Sequence, residues 1–428
     1  MMLRTKRVAL SCRTLLHFLY RLPLVSMILG ASVLGGCSAM TERAAIPAEV
    51  AGGATVPGLA HVRFWGDAAP RDVALALRQR MPSLGKPPQA PKKENGRPLI
   101  RYLALSGGGA DGAYGAGLLV GWSAAGDRPD FEFVTGISAG ALIAPFAFLG
   151  PRYDRQLEAI WTGYGDADLV VKQPLAVLFG GTSLVDTAPL AGLIARYVDE
   201  RLLAAIAAEY RKGRVLLVGT TNLDARRPVV WNMGEIALSR DPGALQLFRD
   251  VLLASAAIPG VMPPVKIRVT AAGATFDEYH VDGGVTRQVF LTPVALTLTD
   301  FDKFYPSPPL RRIYVIRNGR LEPRYKLAEA SAISLASNSI SVMLDAQAAG
   351  DIYRIYVAAL RDGAEFRLAA NPTVLDPASS DIFDKSYMRE MFSTSRRQAR
   401  NGYPWMRTVP EVVPSDPAEC PDSRSCRK

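Results

Sequence analysis

The chain has 428 residues, of which 49% are hydrophobic and 21% charged, a balance that is typical of a globular protein and excludes wholesale disorder. Its 37 Gly and 31 Pro follow no repeating period, which excludes collagen-like and solenoid folds. The net charge is +10, but residues 1–36 hold five basic residues and no acid, so 45 basic and 40 acidic residues remain beyond residue 36. This diffuse excess argues against nucleic-acid binding.

Residues 1–36 have the order of a secretory signal: a basic stretch that ends at Arg21, then an apolar run from Leu22 to Gly36. The run is shorter than the roughly 20 apolar residues of a membrane span, and Pro and Gly interrupt it. Leu34-Gly35-Gly36-Cys37 resembles a bacterial lipobox, so we predict a lipoprotein signal over 1–36 and an acylated Cys37. Ser38 then favours sorting to the outer membrane, and the expected location is the bacterial cell envelope.

Two alternatives stay open at this end of the chain. The first is an ordinary cleaved signal beside an incidental cysteine. The second is a start codon further downstream, because the basic segment is long. Beyond the signal only Cys420 and Cys426 remain, and they are either a local disulfide or free thiols. With three histidines in all, a His/Cys zinc site is not expected.

Residues 37–98 are rich in Ala, Gly and Pro and are interpreted as an N-terminal extension, with a short helix over Arg71–Met81 and a surface linker over Lys86–Pro98. A strand over Leu99–Leu105 follows, and then a loop from Gly107 to Gly112 that leads into a helix over Ala113–Trp122. Glycines in such a loop allow positive φ and turn N–H groups toward an anion. The loop also matches a dinucleotide-binding fingerprint through Gly107, Gly109 and Gly112. A P-loop is a separate alternative, and it is excluded because no Gly-Lys-Ser/Thr follows the loop.

A second strand, predicted over Phe131–Thr135, leads into Gly136-Ile137-Ser138-Ala139-Gly140 and an apolar helix over Ala139–Leu149. This strand, Gly-x-Ser-x-Gly turn and helix predict a nucleophile elbow, in which Ser138 lies at a helix N-terminus. The alternative is a chance match in a Gly-rich loop.

A nucleophilic serine needs a base. The only histidine after Ser138 is His280, so a Ser-His-Asp triad is not expected. Two residues later, Asp282 stands before two glycines at the end of a strand, where a carboxylate can be presented at a site. A turn-forming Asp-Gly pair is the alternative.

The remaining pattern alternates helices with buried strands, which indicates an α/β fold with a mostly parallel sheet. The predicted helices are Pro189–Lys212 with a break near Asp199, Ser331–Leu360 and Lys385–Asn401. The predicted strands are Val215–Gly219 and Arg312–Arg317. A loose tail is expected after Val409.

The glycine loop, the Gly-x-Ser-x-Gly turn and the Asp-Gly-Gly segment together resemble the patatin-like phospholipase family of serine lipid acyl hydrolases. Ala254–Pro264 and Thr221–Asp224 are also similar to family segments, and the resemblance covers about Leu99 to Phe290. It implies a three-layer α/β/α fold with a mostly parallel central sheet. The domain boundaries that follow are a catalytic domain over 99–297, a helical completion of the fold over 298–408 and a tail over 409–428.

The resemblance implies a lipid acyl hydrolase of the phospholipase A, lysophospholipase or esterase type, without cofactor or metal, that acts on acyl lipids at the membrane to which it is anchored. Ser138 would be the nucleophile and Asp282 the proton acceptor, and N–H groups of Gly108, Gly109 and Ala110 would form the oxyanion hole. The motif glycines are Gly107, Gly112, Gly136, Gly140, Gly283 and Gly284.

One residue departs from the family pattern, because Asp111 stands where many relatives have Arg or Lys. It either opposes anionic head groups or favours the positive end of the helix that follows. The rival functions are a membrane-anchored scaffold with this fold and no turnover, and, more distantly, a dinucleotide-binding protein. The oligomeric state stays open.

Overall fold

The computed structural model describes residues 43–59, 61–68, 93–173, 181–292, 297–322, 327, 330–371, 375 and 381–410. The predicted signal with Cys37, the helix predicted over 71–81, the linker residues 86–92 and the tail from 411 with Cys420 and Cys426 lie outside these ranges.

Twelve strands are described, and ten of them form the main sheet while β5 and β6 pair with each other. In chain order they are β1 Arg63–Trp65, β2 Lys93–Glu94, β3 Arg97–Leu105, β4 Phe133–Ile137, β5 Val171–Lys172, β6 Val185–Asp186, β7 Val215–Asn222, β8 Arg227–Asn232, β9 Val265–Ala271, β10 Ala274–Asp282, β11 Leu310–Arg317 and β12 Glu365–Ala370. The centre of the sheet has the order β7-β4-β3-β11-β12 and is parallel throughout. Antiparallel strands β8 and β1 extend it beyond β7.

The helices described are α1 Ala48–Ala51, α2 Gly112–Ala125, α3 Ala139–Leu149, α4 Asp154–Gly163, α5 Asp166–Leu169, α6 Ala188–Tyr197, α7 Glu200–Arg211, α8 Met233–Leu238, α9 Ala244–Ser255, α10 Ala332–Arg361 and α11 Lys385–Arg400. Within the described ranges no helix combines the length and the hydrophobicity that crossing a membrane requires.

The sheet is covered on both faces because its central strands alternate apolar side chains between two cores. On β3, Leu103 and Leu105 join the core under α2, α3, α9 and α11, whereas Ile100, Tyr102 and Ala104 join the core under α10. The three-layer α/β/α arrangement and the mostly parallel sheet are therefore as the sequence predicted.

Several element boundaries differ from the predictions. The strand before the serine is Phe133–Ile137, two residues later than predicted, so it runs directly into Ser138. The last residues of the predicted linker form a hairpin, in which Asn95 and Gly96 join β2 to β3. Their φ angles are 51° and 78°, as in the Asn-Gly turns that fit the right-handed twist of paired strands. Strand β12 was not predicted, so residues 298–408 complete the sheet as well as the helical layers.

Candidate active site

Ser138 occupies the sharp turn between β4 and α3. Its backbone is in the left-handed region, with φ of 53° and ψ of −124°, which costs a non-glycine residue energy and is typical of functional turns. The turn needs glycine at position 140 because a Cβ there would overlap the carbonyl oxygen of Leu105 on the neighbouring strand. The predicted elbow is thus present, and Ser138 lies at the N-terminus of α3.

A second serine holds this turn in place. The Ser138 N–H donates to Ser255 Oγ at 3.0 Å, and the Ser255 hydroxyl donates to the Gly219 carbonyl on β7 at 2.7 Å. Ser255 ends α9 and is fully buried. The backbone N–H of Ser138 is therefore engaged in the scaffold and does not point toward a ligand.

The sheet register brings Asp282 to Ser138. On one edge of β7, parallel β4 pairs as far as Ile137 opposite Gly219, and antiparallel β10 pairs from the other direction as far as Asp282 opposite Thr220. The two strands end head to head, so the residues at their ends meet although 144 positions separate them in the chain. The Asp282 N–H donates to the Ala257 carbonyl at 2.9 Å, which fixes the end of β10 beside α9.

The Asp282 carboxyl is buried next to the Ser138 hydroxyl. Burial raises its pKa from an ordinary 3.8 to about 6, against the hydrogen bonds from the Ser138 hydroxyl and the Gly284 N–H, which lower it. The Gly284 N–H lies 2.7 Å from Asp282 Oδ1 and fixes the carboxyl orientation. A carboxylate with this pKa accepts a proton more readily than an exposed one and is still ionised at neutral pH.

His280 is held in a closed polar network. Its Nε2 lies 3.0 Å from Glu278, which also pairs with Arg63, and its Nδ1 lies 2.9 Å from Thr220 Oγ1. Trp231 Nε1 donates to the same Thr220 oxygen at 2.8 Å, so the Thr220 hydroxyl donates to Nδ1 and the Nε2 proton goes to Glu278.

Charges in this network fix the protonation states. Burial lowers the pKa of His280, against the raising effect of Glu278. Burial works against ionisation of Glu278, but its hydrogen bonds with His280 and Arg63 lower its pKa to about 2. A neutral imidazole with both nitrogens occupied has no proton-accepting atom for Ser138. The prediction that His280 is not part of a triad agrees with this geometry.

The glycine loop packs against the serine turn. Gly107 lies beside Ser138, and its N–H donates to the Gln288 carbonyl at 2.9 Å. The Asp111 N–H donates to the Gly108 carbonyl at 3.0 Å. Among the described residues, no hydrogen bond uses the N–H groups of Gly108, Gly109 or Ala110. These three groups are available to an anion.

Residues that the sequence reasoning missed support the loop from the end of β11. Asn318 donates through Nδ2 to the Ser106 carbonyl at 2.7 Å and accepts from the Gly115 N–H at 3.1 Å. Arg317 Nη1 donates to the Gly107 carbonyl at 3.1 Å. Because β11 is the parallel neighbour of β3, its polar carboxyl end lies at the same sheet edge as the loop. A polar Arg-Asn-Gly sequence at the end of a buried strand was the signal.

Asp111 lies where the second interpretation of the sequence places it, at the start of α2. It is the residue before α2, but its side chain makes no capping hydrogen bond. Instead its carboxylate accepts from the Tyr387 hydroxyl of α11. Burial raises the pKa of Asp111, while Tyr387, Arg317 and Arg320 oppose the rise. Arg317 reaches the same loop from β11.

Comparison with family models agrees with the motifs. Residues 103–295 match the family model described as patatin-like phospholipase. This part of the chain is therefore similar to a domain of a family of lipid hydrolases. Among solved structures, the chain is similar to the crystal structure of VipD from Legionella pneumophila, with 14% identity over 73% of this chain and 69% of that one and a TM-score of 0.31. No curated protein sequence matches significantly.

Proposed function

We propose that this chain is a serine carboxylic-ester hydrolase that cleaves acyl esters of membrane lipids, with Ser138 as nucleophile and Asp282 as general base. The observation that carries the proposal is the buried contact of Ser138 with a carboxyl whose pKa is about 6. His280 does not compete for the serine proton, because its two nitrogens are occupied.

The reaction follows from these positions. Asp282 accepts the Ser138 proton as the serine oxygen bonds to the ester carbonyl carbon, and the carbonyl oxygen becomes an oxyanion. N–H groups of Gly108, Gly109 and Ala110 stabilise that oxyanion, a contribution of about 10²–10³ in rate for each donor lost in comparable sites. The C–O bond to the alcohol then breaks, and the alcohol leaves with the proton from Asp282. Water repeats the steps on the acyl-enzyme, with Asp282 again as base, and releases the fatty acid.

The proposal is tested by measuring hydrolysis of two substrates, a soluble short-chain ester and a phospholipid. The variants to compare are Ser138→Ala, Asp282→Asn and the double variant. Each single variant should lose activity almost completely, and the double variant should lose little more, because the two residues act as a unit. The matched control is Ser123→Ala, which removes a half-buried hydroxyl near the end of α2 that donates to the Leu119 carbonyl, away from the serine turn. Full activity of folded Ser138→Ala would refute the proposal and would point to another catalytic residue. A wild type that hydrolyses neither ester would instead favour a scaffold without turnover.

The proposal extends to the membrane anchor. Acylation of Cys37 would tether the chain to the outer membrane, and several acyl chains are needed because one chain binds only marginally. Mass spectrometry of the cell-envelope protein should find a lipid-modified peptide that begins at Cys37 and no peptide upstream of it. A mature form with unmodified Cys37, recovered in the soluble fraction, would contradict the anchor.

A further inference from the structure

Helix α10 is much longer than the strands it covers. It packs on β11 and β12 through Ile352, Ile355 and Ala359. Asp345 lies level with the carboxyl end of β11, because it pairs with Arg317 at 2.8 Å. From residue 345 to 361 the helix rises about 24 Å, which matches an eight-residue strand, whereas residues 332–344 continue for about 18 Å beyond the sheet edge. We name residues 332–344 the overhang.

The overhang is uncharged, and most of its described side chains are exposed. Its 13 residues include no Asp, Glu, Lys, Arg or His. Seven of the twelve large hydrophobic side chains that are exposed in the described ranges lie on α10, and four of these are in the overhang: Leu335, Ile340, Val342 and Met343. Val342 and Met343 are 67% and 69% exposed, so the helix leaves them in contact with solvent.

These four side chains spread over an arc of about 160° of the helix surface, at 100° per residue. The seam by which two helices pair is narrower. Ser334, Asn338 and Ser341 lie on the opposite side of the helix from this arc, and serine and asparagine are weak helix formers in water. Lipid favours a helix of this composition, because it accepts the apolar arc and requires the backbone groups to bond internally.

The overhang lies at the catalytic edge of the sheet. Ser138 follows the carboxyl end of β4, two strands from β11 in the parallel order. On the other side of Ser138, the turn after β7 carries Asp224, which binds Arg43 at 2.6 Å. Arg43 is six residues from Cys37, a length of chain that spans at most about 20 Å. The overhang and the point where the N-terminal segment reaches the domain therefore flank Ser138 on one edge.

We propose that the overhang enters the interfacial and acyl region of a lipid bilayer and holds the catalytic edge against the membrane surface. This inference rests on the proposed function in that the bilayer supplies the substrate, but its test does not depend on turnover. A bilayer is the occupant because the exposed arc is broad, carries no charge for pairing with a protein, and lies beside the site that receives lipid.

Hydrogen exchange of the full-length Ser138→Ala protein with vesicles of phosphatidylethanolamine and phosphatidylglycerol measures the contact directly. Peptides from residues 334–344 should exchange more slowly when vesicles are present, and peptides from 353–361 should not change, although Tyr353, Val357 and Leu360 are also exposed. The protection should persist at high salt, because no charge of the overhang is involved. Unchanged exchange over 334–344 would overturn the proposal.

Variants separate the overhang from the rest of the helix. Val342→Asn with Met343→Asn should reduce vesicle hydrolysis about tenfold or more and leave a soluble short-chain ester unaffected, because only lipid contact is removed. The matched control, Val357→Asn with Leu360→Asn, changes exposed apolar residues at the other end of α10 and should keep both activities. Equal vesicle hydrolysis by the two double variants would contradict the proposal, as would a dimer that only the overhang variant dissociates. If the wild type hydrolysed no ester, the proposed function would be refuted. Slower hydrogen exchange over 334–344 with vesicles would still support contact between the overhang and the bilayer.

Discussion

Replacing Asp282 by Asn should inactivate the protein and stabilise it at the same time. The Asp282 carboxyl is buried, and its pKa rises from an ordinary 3.8 to about 6, mainly because burial disfavours the charged form. A raised pKa in the folded state means that folding favours the protonated carboxyl. The ionised carboxylate that serves as base therefore costs stability.

The cost has a defined pH window. A rise of about two pKa units corresponds to about 3 kcal/mol. Below pH 3.8 the carboxyl is protonated in both states and the cost is absent. The cost grows as the pH rises and reaches its full value above the folded pKa of about 6. Asp282→Asn removes the charge and keeps an oxygen to accept from the Gly284 N–H. We expect it to raise the free energy of unfolding by about 1–3 kcal/mol at pH 8.

Urea unfolding of the wild type and Asp282→Asn at pH 4 and pH 8 measures this difference. The advantage of the variant should be present at pH 8 and nearly absent at pH 4. Asp127→Asn is the control, because this aspartate is exposed and its replacement should change stability little at either pH. If Asp282→Asn were less stable than the wild type at pH 8, the buried carboxylate would not be a cost and the reasoning would fail.

Further changes at the site have equally specific outcomes. The kcat/KM of the wild type should rise through about pH 6 and fall about tenfold per pH unit below it, and a flat profile would exclude Asp282 as base. Ser255→Ala should lower kcat more than it raises KM, because the Ser138 turn loses its hydrogen-bonded link to β7. An unchanged kcat would show that the turn keeps its conformation without this link. His280→Ala should cost about 1–3 kcal/mol of stability and keep kcat within a few fold, whereas a folded but inactive variant would make His280 catalytic. Asp111→Arg should shift the kcat/KM ratio toward anionic over zwitterionic lipids at low salt, and an unchanged ratio would exclude Asp111 from head-group selection.

The parts of the site that the sequence predicted are local. The turn at Ser138 could be predicted from local sequence, because the strand, the glycines at 136 and 140 and the apolar helix are adjacent in the chain. Helix α3 was predicted with its observed bounds, Ala139–Leu149, because it is apolar throughout. Asp282 was predicted as the base from the resemblance and the scarcity of histidine. The register on β7 gives the physical reason why it meets Ser138.

The parts that were missed depend on contacts between distant segments. Ser255 lies 117 positions from Ser138, and nothing in its local sequence indicates a hydrogen bond to the serine turn. Arg317 and Asn318 support the glycine loop only because β11 joins the sheet next to β3. Tyr387 reaches Asp111 from a helix that lies 276 positions away. The hairpin at Asn95-Gly96 is a different case, because its Asn-Gly turn signal was present within a segment interpreted as a linker.

The central claim is that Ser138 is activated by Asp282. Labelling the full-length protein with a fluorophosphonate, and locating the adduct by mass spectrometry, tests it most directly, because the reagent reacts with an activated serine hydroxyl. We predict one adduct on Ser138, a labelling rate that falls below pH 6, nearly complete loss of labelling in Asp282→Asn and near-normal labelling in His280→Ala. An adduct on another serine, or undiminished labelling of Ser138 in Asp282→Asn, would contradict the account.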